Sequence, residues 1–266
     1  MVGIKKHFGD NQSFNKSESF KPISVKSPSV NPLFFWFRCI IDLQLKTIVS
    51  FLRPALKQLG GNILDVGAGE SPWLKWIFKK ASYVGVDLES ATDFGMTTVR
   101  KNIIYYDGQN LPFDSESFDV VLCVEVLEHV ENPVSFIREI VRVLCPGGRL
   151  ILTIPFSARR HHIPNDYQRF TREGLHLLLS LSKLSEINIK ERGNDICVIA
   201  NKITVLILCL VKPKHLWQII YKWPISIMLL PILLISIFMA HLSLFFGFGS
   251  KEDPLGYYVE AKKLIL

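Results

Sequence analysis

The sequence predicts an α/β fold built on a doubly wound, mostly parallel sheet. Three observations predict it. Short apolar runs alternate with amphipathic stretches between residues 60 and 193, several of those runs end in an acidic residue or a Gly-rich turn, and Pro and Gly punctuate the stretches between them. Alternating strands and helices give a parallel sheet covered on both faces. Ligands of such sheets bind beyond the carboxyl ends of the strands.

The elements follow in order. Residues 1–32 are polar, rich in Ser, Lys and Asn, and carry Pro22, Pro28 and Pro32, which predicts a flexible arm. Residues 33–52 are mostly apolar, and their charged residues are Arg38, Asp42 and Lys46. That spacing of four puts one charged stripe on a greasy helix within a 33–59 lead-in, suited either to cover the sheet or to lie in a membrane interface. A short strand at 62–66 leads into the turn Gly67-Ala68-Gly69. A helix over 72–80 is expected next, with Ser71 as cap and Pro72 in its first position. Strands follow at 83–87, 103–106 and 118–124. Asn132 caps a helix from Pro133 that stops at Pro146-Gly147-Gly148. A fifth strand at 150–154, a helix at 171–180 and a sixth strand beginning at 187–190 complete the alternation.

Composition narrows the function classes. At 266 residues the chain has room for one catalytic domain with additions. The net charge is +7, and nine of the 31 Lys and Arg precede Gly60. A basic surface can face nucleic acid or an anionic leaflet. No basic run interleaved with aromatics is present, so a membrane is expected and nucleic acid is not. Five widely spaced cysteines without a CxxC pair read as free thiols in a reducing compartment. No apolar stretch with a small-residue cleavage site marks a secretory signal.

The motif Asp65-Val66-Gly67-Ala68-Gly69-Glu70-Ser71 carries the strongest chemical signal. Its glycines let the chain turn sharply and let a ligand approach the backbone. A dinucleotide fingerprint wants a small residue three places after Gly69, where this chain has Pro72. Asp65 also suits a cationic ligand better than a pyrophosphate. S-adenosylmethionine (SAM) is cationic at its sulfonium and ammonium. Asp87, followed by Leu88, stands at the end of the second strand, where a carboxylate can accept both ribose hydroxyls. Asp107 ends the third strand, where a carboxylate could accept from an adenine amino group.

Together these motifs resemble class I SAM-dependent methyltransferases, specifically the type-11 family, over residues from about 60 to 193. The glycine turn, Asp87, DGQNLPFDSESFDVV, EVLEHVENP and LCPGGRLILTIP occur in order and at family spacing. The resemblance implies a Rossmann-like, seven-stranded sheet over 60–200 and SAM as cofactor. It implies that Asp65, Gly67, Ala68 and Gly69 cradle the methionine end and that Asp87 holds the ribose. Asp107 and Gly108 then meet the adenine, and Glu125 lies beside the cofactor. Ser71 stands where the family commonly has a third glycine.

Methyl transfer requires a nucleophile held opposite the sulfonium in a water-poor pocket, and a hydroxyl acceptor gains from a general base. His129, the pair His161-His162, and the run Asp166-Tyr167-Gln168-Arg169-Phe170-Thr171 are the candidates. The HHIPNDYQRFT stretch resembles a signature of methyltransferases from surface-polysaccharide or lipid-linked glycan pathways. His162, Asp166 and Tyr167 are therefore expected near the acceptor. The structural reading of the same residues has Asp166 pairing with Arg169 and Thr171 capping a helix. Glu125, Glu128 and His129, with His161 or His162, could also hold Mg²⁺ or Mn²⁺. Relatives carry EVLEHV without a metal, so no metal is expected.

The C-terminal part is apolar. Residues 224–249 contain no Asp, Glu, Lys or Arg and follow Trp217, Tyr221, Lys222 and Trp223. As a helix they would measure about 39 Å, enough for a bilayer core of roughly 30 Å. The segment after them, Gly256-Tyr257-Tyr258-Val259, resembles the last strand of the family sheet. If it pairs with a cytoplasmic sheet, the apolar insert at 201–250 must leave and return on one side. A re-entrant or interfacial hairpin kinked near Pro231 is predicted. The expected function is methylation of a membrane-associated or lipid-linked acceptor, with a glycan hydroxyl favoured. The alternatives are a quinone or small-lipid methyltransferase, and a non-catalytic SAM-binding membrane scaffold.

Overall fold

The computed structural model describes residues 25–77, 81–88, 103–213 and 215–265. The expected arm at 1–32 therefore lies largely outside the described residues. Within it, Pro32 already opens the first helix, α1 (Pro32–Ile41), whose N-cap Asn31 accepts from the Phe34 amide.

Seven strands form one sheet: β1 (Asn62–Val66), β2 (Ser82–Leu88), β3 (Ile103–Tyr106), β4 (Phe118–Val124), β5 (Leu144–Pro155), β6 (Leu184–Arg192) and β7 (Gly256–Lys263). Their spatial order is β3-β2-β1-β4-β5-β7-β6. The first five are parallel, and β7 inserts antiparallel between β5 and β6. The strand order reverses between β1 and β4, so the crevice at their carboxyl ends is the ligand site such sheets provide. This is the class I methyltransferase fold.

The strands are buried on both faces, as their near-continuous Val, Ile and Leu runs require. On one face, α3 (Pro133–Val143) and α4 (Arg172–Ser180) bury Ile137, Ile140, Leu175 and Leu179 against Val121, Leu150 and Leu152. Asn132 and Thr171 cap these helices through the Ser135 and Gly174 amides. On the other face, α2 (Leu43–Leu56) packs Ile48, Leu52 and Leu56 with Trp73 and Trp76 over Ile63, Leu122 and Ile151.

Three local expectations are corrected. The helix over 33–52 breaks at Asp42, which leaves the helical region (φ −88°, ψ 91°) and caps α2 by accepting from the Leu45 amide. Arg38 still pairs with Asp42 at 3.3 Å. The helix over 72–80 is reduced, among the described residues, to a single 3₁₀ turn at Leu74–Trp76. Ser71 does not cap it, because Ser71 sits in the left-handed region (φ 49°) and its amide closes a turn onto the Ala68 carbonyl. Burying Trp73, Trp76 and Ile77 sets that path. Finally, β5 starts at Leu144 rather than at 150. Its first residues pair with Phe118 across a bulge, and Gly147 takes up the turn at φ 74°.

The apolar insert is a helical hairpin, α5 (Asp195–Val211) and α6 (Ile219–Phe246). The hairpin does not kink at Pro231: α5 ends at Val211, and α6 stays helical through Pro224 and Pro231. The hairpin begins and ends at one point. Asn194 donates to Ser243 Oγ (3.1 Å) and to the Phe248 carbonyl (2.9 Å), and the Asp195 amide donates to the Ser250 carbonyl (3.0 Å). Gly247 closes α6 in the left-handed conformation (φ 72°), donating to the Ser243 carbonyl. Among the described residues, Leu216–Phe246 is the one helix long and apolar enough to cross a membrane. Much of its surface is bare, with Ile220, Ile227 and Phe245 each exposed by at least 70%.

Candidate active site

The first half of the site lies at the tips of β1 and β2. The β1 backbone turns at Gly67 (φ 72°), and the Gly67 and Ala68 amides donate to the Val86 carbonyl. A Cβ on Gly67 would meet Val126 Cγ2 at 2.3 Å, so the turn and the segment after β4 touch. Gly69 (φ 52°) directs its amide to Asp87 Oδ2 at 2.7 Å, and the Leu88 amide donates to Asp87 Oδ1 at 2.8 Å. Burial pushes the Asp87 carboxyl up while these two amides oppose it. The glycine turn and the β2 carboxylate are thus one hydrogen-bonded unit.

Asp65 is fully buried and accepts from the Tyr83 hydroxyl at 2.7 Å. Desolvation raises its pKa to about 7, with Tyr83 opposing and Asp87 adding to the rise. No Lys, Arg or His among the described residues forms an ion pair with it. A buried carboxylate with a hydroxyl donor and no cation is a receptor for positive charge. Asp107 is exposed. Its Oδ1 accepts from the Gln109 and Asn110 amides, which hold its carboxyl below the usual range. Gly108 (φ 82°) lies against Leu88, whose Cδ2 would be 2.8 Å from a Cβ there. The β2 and β3 tips therefore adjoin.

Glu125 follows β4 in the left-handed region (φ 54°), its amide donating to the Thr153 carbonyl. Its Oε1 accepts from Arg192 Nη2 at 2.8 Å. Arg192 is wholly buried at the end of β6 and also donates to the Tyr257 and Ile154 carbonyls. Sequence reasoning missed Arg192 and Tyr83. No local motif marks either one, and the partner of Arg192 lies 67 residues away.

The second half of the site is the loop after β5. The Tyr167 and Gln168 amides donate to the Glu128 carbonyl, which docks the loop on the turn after β4. His129, His161 and His162 gather there, with ring centroids 4.8–5.2 Å apart. His162 takes a left-handed backbone (φ 53°). Burial drives His129 down to about 4, the Asn165 carbonyl on Nδ1 opposing, so at neutral pH its ring is uncharged with a lone pair on Nε2. Burial, with the charge of Glu125, pushes the Glu128 carboxyl well above its ordinary range.

Asp166 is held by Arg169 through two contacts (2.7 and 2.9 Å) and by the His161 amide (3.1 Å). Burial raises its pKa, but these donors prevail and the carboxyl lies below its ordinary value. This is the geometry of the loop-shaping pair with Arg169. Tyr167 is 46% exposed and donates to Asn165 Oδ1 at 3.2 Å. The loop thus brings together His129, His161 and His162, while Tyr167 faces outward.

Against known proteins, residues 64–152 match the family described as a methyltransferase domain. This segment of the chain is similar to a methyltransferase domain. Among curated relatives, the phthiotriol/phenolphthiotriol dimycocerosates methyltransferase 1 of Mycobacterium ulcerans is 38% identical over 102 residues, 35% of this chain and 37% of the relative. The ubiquinone biosynthesis O-methyltransferase of Pseudomonas paraeruginosa is 29% identical over 147 residues, 53% of this chain and 56% of the relative. The chain therefore spans between about a third and a little over half of these relatives' length. Two solved structures share the fold. One is the [4+2]-cyclase SpnF (TM-score 0.52, 19% identity, 84% of this chain and 83% of that one). The other is a SAM-dependent methyltransferase from Archaeoglobus fulgidus (TM-score 0.50, 16% identity, 86% and 99%).

Proposed function

We propose that the protein transfers the SAM methyl group to a hydroxyl of a membrane-resident, lipid-type acceptor. The observation that carries the cofactor half is Asp65, a buried carboxylate with a hydroxyl donor and no cation, beside Asp87 tied to the glycine turn. In this reading Asp65 and the 67–69 backbone take the amino-acid end of SAM, Asp87 the ribose, and Asp107 and Gly108 the adenine edge. Glu125, held by Arg192, borders the sulfonium. The loop of His162 and Tyr167 covers the acceptor, and His129, uncharged at neutral pH, is the base available to an acceptor hydroxyl. The O–CH₃ bond forms as the S–CH₃ bond breaks in line, and the hydroxyl proton passes to imidazole.

Two observations support a lipid acceptor. The hairpin leaves the sheet between β6 and β7 with most of its apolar surface uncovered. Alongside it, α1 exposes Leu33, Phe34 and Phe37. The relatives named above are described by their action on dimycocerosates and in ubiquinone biosynthesis, which favours a lipid or quinone. The HHIPNDYQRFT loop keeps a lipid-linked glycan as the second reading. We place the catalytic domain on the cytoplasmic side, with the hairpin holding it close to its acceptor and raising the effective concentration.

The test is incubation of the purified chain with methyl-labelled SAM and membrane lipid extracts, with and without lipid-linked glycans. Label in a lipid fraction, lost in the Asp87→Ala variant, supports the reading. SAM binding without label transfer to any fraction would favour a scaffold.

A further inference from the structure

The three histidines of the acceptor loop and one carboxylate make a second constellation, distinct in chemistry from the SAM cradle. The coordinating atoms of His129, His161 and His162 all lie within 4.8 Å of one another. Glu128 stands beside two of them, His129 and His161. Its side chain is wholly buried, and neither carboxylate oxygen has a hydrogen-bond partner. Its Oε1 lies 3.6 Å from His129 Nε2 and 3.9 Å from His161 Nε2. A buried, unsatisfied carboxylate is costly to maintain, so its position asks for a positive partner.

The tautomers point the same way. His129 Nδ1 contacts the Asn165 carbonyl at 2.7 Å, and His161 Nδ1 contacts the Arg159 carbonyl at 3.0 Å with Asp166 Oδ2 at 3.7 Å. A carbonyl oxygen can only accept, so both Nδ1 atoms carry the proton. Both Nε2 lone pairs then face the same oxygen of Glu128. Imidazoles whose far N–H is held by a carbonyl or carboxylate are oriented as metal ligands are. Glu125, the other carboxylate on this turn, is engaged by Arg192 and stands outside the set.

We propose that His129, His161, His162 and Glu128 bind a divalent transition-metal ion of the Zn²⁺ class. Three imidazole nitrogens and one carboxylate oxygen suit such an ion and not Mg²⁺, which takes oxygen ligands. Tetrahedral ligands at 2.0–2.1 Å stand about 3.3 Å apart, so ring movements of roughly 1 Å bring the three imidazoles to ligand spacing. Four protein ligands fill it, which makes the ion a clamp joining the loop after β5 to the turn after β4, so His129 serves as the base only in the chain without the ion. From sequence alone, relatives that carry EVLEHV without a metal argue against an ion, and the hard-ion set considered there included Glu125, which the structure gives to Arg192.

The test uses the full-length chain in detergent, dialysed free of metal and without SAM. Equilibrium dialysis against Zn²⁺ is expected to give one ion per chain and a higher melting temperature that EDTA reverses. Co²⁺ is expected to give four-coordinate visible absorption with no thiolate charge-transfer band. His161→Ala and His162→Ala should weaken binding by roughly 100-fold or more, while His176→Ala, on the surface of α4, should not. A wild-type chain that takes up no stoichiometric Zn²⁺, or a Co²⁺ spectrum with thiolate ligation, overturns the proposal. These readouts are independent of the cofactor: Zn²⁺ uptake without SAM affinity would refute the methyltransferase reading alone, and the converse would refute the clamp alone.

Discussion

Arg192 Nη2 lies 2.8 Å from Glu125 Oε1 and couples the far edge of the sheet to the residue that follows β4. The guanidinium is completely buried, yet its hydrogens are spread over Glu125 and the carbonyls of Ile154 and Tyr257. Removing it strands the half-buried Glu125 carboxylate and the Ile154 and Tyr257 carbonyls. Arg192→Met is expected to cost about 3–5 kcal/mol of stability. Adding Glu125→Gln should recover part of that loss, which chemical denaturation of the four members of the cycle would measure. Additive losses would show that the two side chains do not interact.

Gly67 meets Val126 closely enough to make a sharp test of the turn. A Cβ at Gly67 would overlap Val126 Cγ2 and would sit on a backbone at φ 72°. The Val126→Ala change removes the overlap but not the backbone strain. Gly67→Ala is therefore expected to weaken SAM binding at least tenfold and to destabilise the fold by about 2–4 kcal/mol, the sum of a left-handed penalty and overpacking. In the double variant the stability should return by about half. SAM titration and thermal melts read the two effects separately.

Asp65 makes cofactor binding depend on pH. Its carboxyl releases its proton near pH 7 in the folded chain, against 3.8 ordinarily. The folded state therefore holds a proton that the unfolded state has already lost. This contribution to stability is full below about pH 4 and disappears as pH rises through 7. A cationic ligand reverses the preference by favouring the carboxylate, so SAM binding should expel a proton at pH 6. Affinity should rise from pH 5 to 7 and then level off. Asp65→Asn should flatten the profile and weaken binding at pH 8 by about 1.5–3 kcal/mol. Calorimetry in two buffers of different ionisation enthalpy counts the proton.

The contrast between the glycine turn and Arg192 shows what a sequence exposes. The strands at 62–66, 103–106 and 118–124, the Asn132 and Thr171 caps, and the carboxylates at strand tips follow from local periodicity and local hydrogen bonding. The helix expected at 72–80 failed because burial of Trp73 and Trp76 on the sheet outweighed a sound start signal. Partnerships across the fold were hidden for the same reason. The sequence raises His161 and His162 alike as neighbours of Glu128 without deciding between them, and Asp166 reads equally as a base or as a partner of Arg169 until the loop is folded.

The exposed face of α6 carries the membrane proposal, and its apolar residues can be altered without touching the core. Ile227 and Leu234 are 70% and 60% exposed. An Ile227→Lys/Leu234→Lys variant should fold and bind SAM as the parent does. Its partition onto anionic liposomes should fall at least tenfold, since each lysine opposes apolar insertion by up to about 3 kcal/mol. Co-sedimentation measures the partition, and unchanged binding would remove the hairpin as the anchor.

The position of β7 decides how the hairpin meets the bilayer. From Arg149↔Lys262 to Pro155↔Gly256, β7 is laddered to β5, and its other edge is laddered to β6. Carrying residues 251–266 to the opposite side of a membrane would unzip both ladders, leave two open edges in the sheet and expose the apolar residues that β7 buries. The joined ends of the hairpin, where the Asp195 amide meets the Ser250 carbonyl, impose the same condition. An epitope tag placed after residue 266 should therefore be cleaved by protease in inside-out vesicles and protected in right-side-out ones, together with the catalytic domain. Cleavage of the tag from the outer face alone would mean a single crossing by α6 and a sheet that lacks its seventh strand.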